Sequence, residues 1–138
     1  MMDYNEALFK GFEFEVDDFP AFAIINSIVD DFERKADYPI SVFIGIEPEQ
    51  INNNGHPTEE EADYLEVLES GLLEKLRELD VIYVGHTTIA RKREIIFYIP
   101  NDEILIALFE EWATTTNRST DVDIEEDAEW ENIEAFID

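Results

Sequence analysis

The sequence predicts an α+β fold: a ferredoxin-like split βαβ unit from about residue 40, with an extra N-terminal β-hairpin on a mostly antiparallel sheet. Three observations predict it. A helical leucine pattern follows Thr58, two strand-like segments flank a basic turn at Arg91, and the element order from residue 40 reads β-α-β-β-α-β. The length of 138 residues is close to the usual size of one domain, so we expect a single acidic domain over 1–138.

The N-terminal third predicts three strands. Residues 11–16, GFEFEV, alternate apolar and acidic side chains with the period of a half-buried strand. Residues 21–32 fit helical spacing as well as strand composition, and we favour a strand. Residues 40–46, ISVFIGI, are β-branched and aromatic, which is typical of a buried central strand.

A long amphipathic helix is predicted over residues 59–79. Thr58 and Glu61 have the spacing of a capping box, and acidic side chains in the first turn suit the helix dipole. The leucines that recur at spacings of three and four are Leu65, Leu68, Leu72, Leu76 and Leu79. The side chains expected to face solvent are those of Glu69, Lys75 and Glu78. Gly71 interrupts the helix, and we attribute it to close packing on the sheet or to a local kink.

The second half predicts a hairpin, a helix and a last strand. The hairpin joins VIYVGHTTIA to EIIFYIP through Arg91, Lys92 and Arg93. Asn101 and Asp102 are expected to cap a helix that runs through Trp112. Its predicted buried face consists of Ile104, Leu105, Leu108, Phe109 and Trp112. A strand at about 121–125 follows, and we expect the segment after it to dock on the domain through Trp130, Ile133, Phe136 and Ile137.

Charge sets the class of partner. The chain has 35 acidic and 9 basic residues, a formal net charge of -26, yet 45% of it is hydrophobic, so it can form a core. Such a field repels nucleic acid and anionic membranes and favours a basic protein partner. The chain lacks cysteine, which excludes disulfides and thiolate metal sites. An acidic N-terminus and the lack of a long apolar window predict a soluble cytoplasmic protein.

Motifs along the chain carry a resemblance to a known family. The segments GHPTEEEADYLEVLESGLLEKL, IYVGHTTIARKREIIFYIP and DAEW give a Gly-x-Pro-acid helix start, a glycine-containing strand, an FYxP-like strand end and an acidic close with Trp. This order resembles the bacterial domain of unknown function family DUF695 over most of residues 11–138. It departs at the first strand, where Phe12 and Phe14 replace a Trp or Tyr pattern. The resemblance implies no catalytic residue and no activity. It also implies a distant likeness to the acidic regulator of ribonuclease E activity B, because some bacterial proteins join such a domain to a module of that kind.

Motifs for enzymatic chemistry are missing from the sequence. There is no glycine-rich phosphate loop, no G-x-S-x-G and no HExxH. His56 and His86 lack the spacing of a metal site, and the stretch from Asp121 fails as a calcium loop, since Glu126 stands where glycine is needed and Asn132 where the bidentate Glu is needed. We therefore expect no cofactor and no metal, and we favour a binding protein over an enzyme.

The sequence leaves several functional interpretations open. The first is a modulator or inhibitor of a basic protein such as a ribonuclease, acting by electrostatic masking. Its candidate contacts are Glu59, Glu60, Glu61, Asp121, Asp123, Glu125 and Glu126, with Trp130 as an aromatic anchor. The second is a small-ligand domain or enzyme whose pocket, between the N-terminal hairpin and the helices, contains His86, Tyr83 and Tyr98. A third is immunity to a nuclease toxin. The basic residues Arg91, Lys92 and Arg93 form a candidate anion contact. For each of these residues, the competing interpretation is an ordinary solvated or core position.

Overall fold

The computed structural model describes residues 9–16, 19–26, 33–53, 56–89 and 91–136. These residues form six strands: β1 (Phe9–Val16), β2 (Phe19–Asn26), β3 (Ile40–Ile46), β4 (Ile82–Ile89), β5 (Lys92–Ile99) and β6 (Thr120–Glu126). They also form two α-helices, α1 (Glu59–Lys75) and α2 (Leu105–Thr116). Short 3₁₀ segments occupy Lys35–Asp37, Leu76–Glu78 and Glu131–Phe136. The predicted α+β class is confirmed. The strand favoured for residues 21–32 is present as far as Asn26, and residues 27–32 lie outside the described part of the chain.

The six strands make one antiparallel sheet in the order β1-β2-β4-β5-β3-β6. The N-terminal strands β1 and β2 pair with each other, and β2 then pairs with β4, so they extend the sheet on that side. β5 lies between β4 and β3, antiparallel to both. β6 pairs with β3 and is the opposite edge of the sheet.

Both helices cover one face of the sheet, which we call the helix face. Leu65, Leu68, Leu72 and Leu76 are buried as predicted, together with Trp112 of α2. The strand residues that complete this core are Val42, Ile44, Ile46, Tyr83, Ile95, Phe97 and Ile99. Trp112 also donates its indole N–H to the carbonyl oxygen of Leu68 at 2.8 Å, which ties α2 to α1.

The C-terminal segment covers part of the opposite face. Trp130 and Ile133 are fully buried, and the Trp130 ring stacks on Tyr98 with 4.1 Å between the ring centroids. The indole N–H of Trp130 donates to the carbonyl oxygen of Tyr38 at 3.0 Å. The predicted docking of this segment is therefore confirmed for Trp130 and Ile133, whereas the side chain of Phe136 and the whole of residue 137 lie outside the described part.

α1 departs from its prediction in three ways. It ends at Lys75 and continues as a single 3₁₀ turn rather than reaching residue 79 as an α-helix. Glu69, expected in solvent, is buried at 5% exposure, because it faces charged and hydroxyl partners on the sheet. Gly71 does not pack closely on the sheet: it is exposed, and a Cβ there would meet nothing within 4 Å.

α2 and the hairpin also differ in detail from the expectation. The N-cap of α2 is Ile104, which makes no side-chain cap and is 48% exposed instead of buried. The turn of the hairpin is shorter than predicted, since Lys92 and Arg93 already belong to β5. Arg91 takes the left-handed conformation at φ 45°. It is the turn residue that the structure describes, because residue 90 lies outside the described part of the chain.

A β-bulge in β4 changes which side chains share a face. Tyr83 pairs with Phe97, but Gly85 pairs with the next residue back, Ile96, so one extra residue is inserted between them. Beyond the bulge the alternation is reversed, which places Tyr83 and His86 on the helix face. Simple alternation along β4 would place His86 on the face of Ile82 and Val84, but those two belong to the core on the opposite face.

Gly85 is required by this bulge. Its φ is +149°, which L-residues rarely adopt, and a Cβ would collide with the carbonyl oxygen of Ile24 on the neighbouring strand. β2 and β4 can therefore approach each other closely only because residue 85 has no side chain.

Candidate functional site

Strand β6 presents a row of carboxylates at the edge of the sheet. Asp121, Asp123, Glu125 and Glu126 are all exposed, and we call them the acidic edge. Val122 and Ile124, between them, turn inward and pack on the helix-face core. Period-two alternation thus holds β6 in register while three carboxylates point to the opposite face.

A lysine side chain is fixed beside the acidic edge. Lys92 of β5 reaches across β3 and pairs with Asp121 at 3.0 Å. It crosses at Gly45, where a Cβ would collide with both Lys92 and Asp121. Burial raises the pKa of the nearby Glu94, and the carboxylates of Asp121 and Asp123 add to this against the opposing charge of Lys92. Besides Asp121, which Lys92 pairs, the acidic edge keeps three exposed carboxylates.

The helix start is less acidic at its surface than its sequence indicates. Glu59 and Glu60 are exposed, but Glu61 is only 2% exposed and binds Arg118 through both carboxylate oxygens at 2.8 Å. The hydrogen bond from Arg118 lowers the pKa of Glu61 and outweighs the effect of burial. Thr58 accepts a hydrogen bond from the Glu61 amide at 3.3 Å, so half of the predicted capping box forms. Glu61 is therefore removed from the candidate partner contacts.

The three basic residues predicted as an anion contact do not gather at one point. Arg91 is exposed at the turn, Lys92 pairs with Asp121, and Arg93 is 4% exposed and pairs with Glu69. Two of the three are thus already bound to carboxylates of the same chain.

Four polar side chains meet where α1 crosses β4 and β5. Glu69 accepts hydrogen bonds from the Tyr83 hydroxyl and, at 2.5 Å, from Nη2 of Arg93. Nδ1 of His86 lies 3.2 Å from Oε2 of Glu69, and Nε2 of His86 lies 3.3 Å from Nη2 of Arg93. We call Glu69, Tyr83, His86 and Arg93 the quartet.

Electrostatics hold Glu69 ionised inside the quartet. Burial alone would raise the pKa of this carboxyl, but the hydrogen bond and charge of His86, the charge of Arg93 and the hydrogen bond of Tyr83 together lower it to about 2. The quartet is nearly sealed, with 5% exposure of the Arg93 side chain and 19% of the His86 side chain. Nε of Arg93 is buried without a partner among the described residues. The arrangement places an acid, an imidazole and a phenol within reach of one another, and the imidazole is partly exposed.

Two residues of the predicted sites lie elsewhere. Tyr98 is on the face opposite the quartet, where its hydroxyl donates to Asp127 at 2.5 Å, so it cannot share a pocket with Tyr83 and His86. Burial, followed by the hydrogen bond to Asp127, raises the pKa of Tyr98. Trp130 is 0% exposed, because its ring stacks on Tyr98 in the core. This burial contradicts its predicted role as a surface anchor.

The second histidine lies beside the N-terminal hairpin. Nε2 of His56 lies 2.5 Å from the carbonyl oxygen of Pro20. An open cleft of roughly 520 Å³ adjoins it, and we call this the hairpin cleft; it is lined by Glu13, Phe14, Glu15, Pro20, Ala21, Phe22 and His56. In the described part of the chain, no group of three or more His, Asp or Glu side chains has an arrangement that holds a metal. None of its helices combines the length and the apolar character needed to cross a bilayer.

Sequence reasoning missed Glu69, Arg93 and Arg118 as structural partners. The available signal was weak: Glu69 follows Leu65 and Leu68 at helical spacing and so continues the buried stripe, but its charge suggested solvent. Arg118 follows α2 directly and had no spacing relationship to Glu61, 57 residues away.

Comparison with known proteins identifies a family. A family model described as "Family of unknown function (DUF695)" matches residues 10–137. No curated protein and no solved structure matches the chain.

Proposed function

The chain belongs to the family of unknown function DUF695, whose description names no activity, and we propose from its surface that it binds a basic protein. It would act as a cytoplasmic modulator or inhibitor, for example of a ribonuclease, and not bind nucleic acid or membrane itself. The observation that carries the proposal is the acidic edge: exposed carboxylates along an edge strand, of which Asp121 is paired with Lys92.

The proposed mechanism is electrostatic masking. A net charge of -26 attracts a basic surface over long range and raises the association rate. The acidic edge then competes with phosphate for the same Lys and Arg side chains, so nucleic acid is displaced. An edge strand adds directional recognition, because its outer backbone groups are unpaired within the sheet and can bond to an extended basic segment.

The acidic edge is a stronger candidate than the helix start. Asp123, Glu125 and Glu126 form no ion pair among the described residues, although Glu125 accepts a hydrogen bond from Asn132 at 2.7 Å. At the helix start only Glu59 and Glu60 remain exposed, because Glu61 is neutralised by Arg118. Carboxylates at a helix start also stabilise the helix itself, because their negative charge interacts favourably with the helix dipole.

The test compares three variants with equal changes in charge. Asp123→Lys with Glu126→Lys alters the acidic edge, Glu59→Lys with Glu60→Lys alters the helix start, and Glu66→Lys with Glu110→Lys is the control on exposed helix positions. Association with a partner captured from lysate at low salt is measured by surface plasmon resonance, after circular dichroism shows that each variant is folded.

We expect the edge variant to associate at least tenfold more slowly and the other two less than about threefold. The rate for the wild type should fall steeply with salt while dissociation changes little. Equal slowing of all three variants would mean that association depends on the overall charge of the chain and not on the acidic edge. If none of the variants associated more slowly, the masking mechanism would be contradicted.

We also propose that residues from Ile40 onward form a ferredoxin-like unit. The order β4-β5-β3-β6, with both helices on one face, supports this topology, and β1 and β2 would be an addition to it. A crystal structure that gave a different order of these four strands would contradict it.

The quartet supports a second proposal, a small-ligand or catalytic site at His86. The specific observation is the contact of His86 with both Glu69 and Tyr83, since an imidazole held by a carboxylate is a common acid-base arrangement. His86→Gln should then abolish binding of an anionic or hydrolysable probe without loss of stability. If His86→Gln changes only the free energy of unfolding, the quartet is structural.

A further inference from the structure

The β1–β2 hairpin has a face that the helices do not cover. Glu13 pairs directly with Phe22, and Phe22 pairs with Thr88 of β4. Thr88 in turn pairs with Arg93, which contacts Glu69 of α1. Directly opposed residues in an antiparallel sheet point to the same side, so Glu13 and Phe22 lie on the helix face. The helix-face core nevertheless contains no residue of β1 or β2 among those described.

The hairpin cleft lies on this uncovered area. Its volume of roughly 520 Å³ falls within the range of small-ligand sites. Its floor contains an aromatic ring with solvent access, since Phe22 is 39% exposed. His56 closes one end: because a carbonyl oxygen only accepts, its Nε2 carries the proton and donates to Pro20, which holds the ring in place.

Two carboxylates form one side of the cleft. Glu13 and Glu15 are both exposed and two residues apart on a strand, so they point to the same side about 7 Å apart. In the part of the chain that the structure describes, no basic side chain forms an ion pair with either. This differs from Glu69, Glu61 and Asp121, each of which is bound by an arginine or a lysine.

We propose that the hairpin cleft binds an arginine side chain presented by a basic segment of a partner. A guanidinium group is planar and weakly hydrated, so it stacks on the Phe22 ring while its N–H groups reach Glu13 and Glu15. The two carboxylates exclude an anionic ligand, and an uncharged apolar ligand would leave them desolvated without partners. A lysine side chain supplies the positive charge but has no planar group to stack on the ring. The biological source of the arginine depends on the proposed function, whereas the site itself does not.

The test uses a short peptide, acetyl-Arg-Arg-Arg-amide, and the intact chain. Its neutral analogue with citrulline has the same shape without the charge, and the lysine peptide has the charge without the plane. Binding is followed by ¹H–¹⁵N chemical shifts and by calorimetry at fixed ionic strength. We expect the arginine peptide to shift residues of β1 and β2, and the citrulline peptide to bind at least tenfold more weakly.

Matched variants separate the site from overall charge. Glu13→Gln with Glu15→Gln removes two charges from the cleft, and Glu59→Gln with Glu60→Gln removes two charges from the exposed start of α1. We expect at least a tenfold loss of affinity in the first pair and less than about threefold in the second. Phe22→Ala should weaken the arginine peptide more than the lysine peptide. Circular dichroism confirms folding, and all five positions are exposed or at the surface.

Three results would overturn the proposal. These are equal losses in the two double variants, equal binding of the citrulline peptide, and peptide shifts confined to β6. Each is independent of masking, because the charge-reversed edge variant leaves Glu13 and Glu15 intact. If association of the partner still depends on the acidic edge but the peptide does not bind the cleft, this inference is wrong and the proposed function is unaffected.

Discussion

Glu69 is the residue that joins α1 to both β4 and β5 by polar contacts. Its carboxylate contacts Arg93, Tyr83 and His86 at once. Glu69→Gln should cost about 3 kcal/mol of unfolding free energy, because it leaves the buried guanidinium without a counter-charge. Urea denaturation measures this. The matched control is Glu66→Gln, one turn away on the exposed side of α1, which should change stability by less than about 0.5 kcal/mol.

The lowered pKa of Glu69 predicts that the free energy of unfolding depends on pH. Its pKa falls from an unfolded value of 4.5 to about 2 in the folded protein, so its stabilisation is complete above about pH 4.5 and is lost as pH falls through about 2. The wild type should therefore lose its advantage over Glu69→Gln across this window. Subtracting the variant removes the titration of the other acids. A difference that stays constant from pH 5 to pH 2 would show that Glu69 does not titrate there.

Two glycines should respond in opposite ways to alanine. Gly85→Ala places a Cβ against the carbonyl of Ile24 at a positive φ, so it should destabilise by several kcal/mol or prevent folding. Gly71→Ala adds a methyl group in open space on a helix and should stabilise by about 0.5 to 1 kcal/mol. Melting temperatures of the two variants test the bulge directly. A stable Gly85→Ala protein would mean that β2 and β4 are not held at this spacing.

At the scale of elements, the stripe of leucines packs α1 on the helix-face core of the sheet. Leu72 is 0% exposed in its centre, so Leu72→Ala should cost about 2 to 5 kcal/mol. Val67 on the same helix is 67% exposed, and Val67→Ala should change stability by less than about 0.5 kcal/mol. Chemical denaturation distinguishes them, and similar losses in both would mean that the face of α1 is assigned incorrectly.

The elements were predictable because their periodicity is local, while the contacts between elements were not. β3 was predicted at its observed bounds, and α1 at its observed start, from patterns within a few residues. The bulge that turns His86 toward Glu69 leaves no pattern in β4, because an inserted residue looks like ordinary alternation until the register is known. Glu61 was placed at the surface for the same reason, because its partner Arg118 is distant in sequence.

At the scale of the whole molecule, the few basic residues pair with nearby carboxylates, and the acidic residues remain in excess. Arg34, Lys75, Arg77, Lys92, Arg93 and Arg118 each form an ion pair with a neighbouring carboxylate. The chain has 35 acids for 9 bases, so most carboxylates repel one another at the surface without compensation. This excess is the source of the field that the proposed masking function requires, and it opposes folding.

Added salt should therefore raise the stability of the folded chain. The Debye length is about 10 Å at 0.1 M, so repulsion among exposed carboxylates is screened, while the buried pairs of Glu69 and Glu61 are affected less. We expect the melting temperature to rise between 0.01 and 0.2 M ionic strength. NaCl and Na₂SO₄ should give the same rise at equal ionic strength, because screening depends on ionic strength and not on the anion. A variant with Glu59, Glu60, Asp63 and Glu66 changed to the corresponding amides should show a smaller slope. A melting temperature that does not change with salt would mean that the acids are compensated locally, and the long-range field needed for masking would be absent.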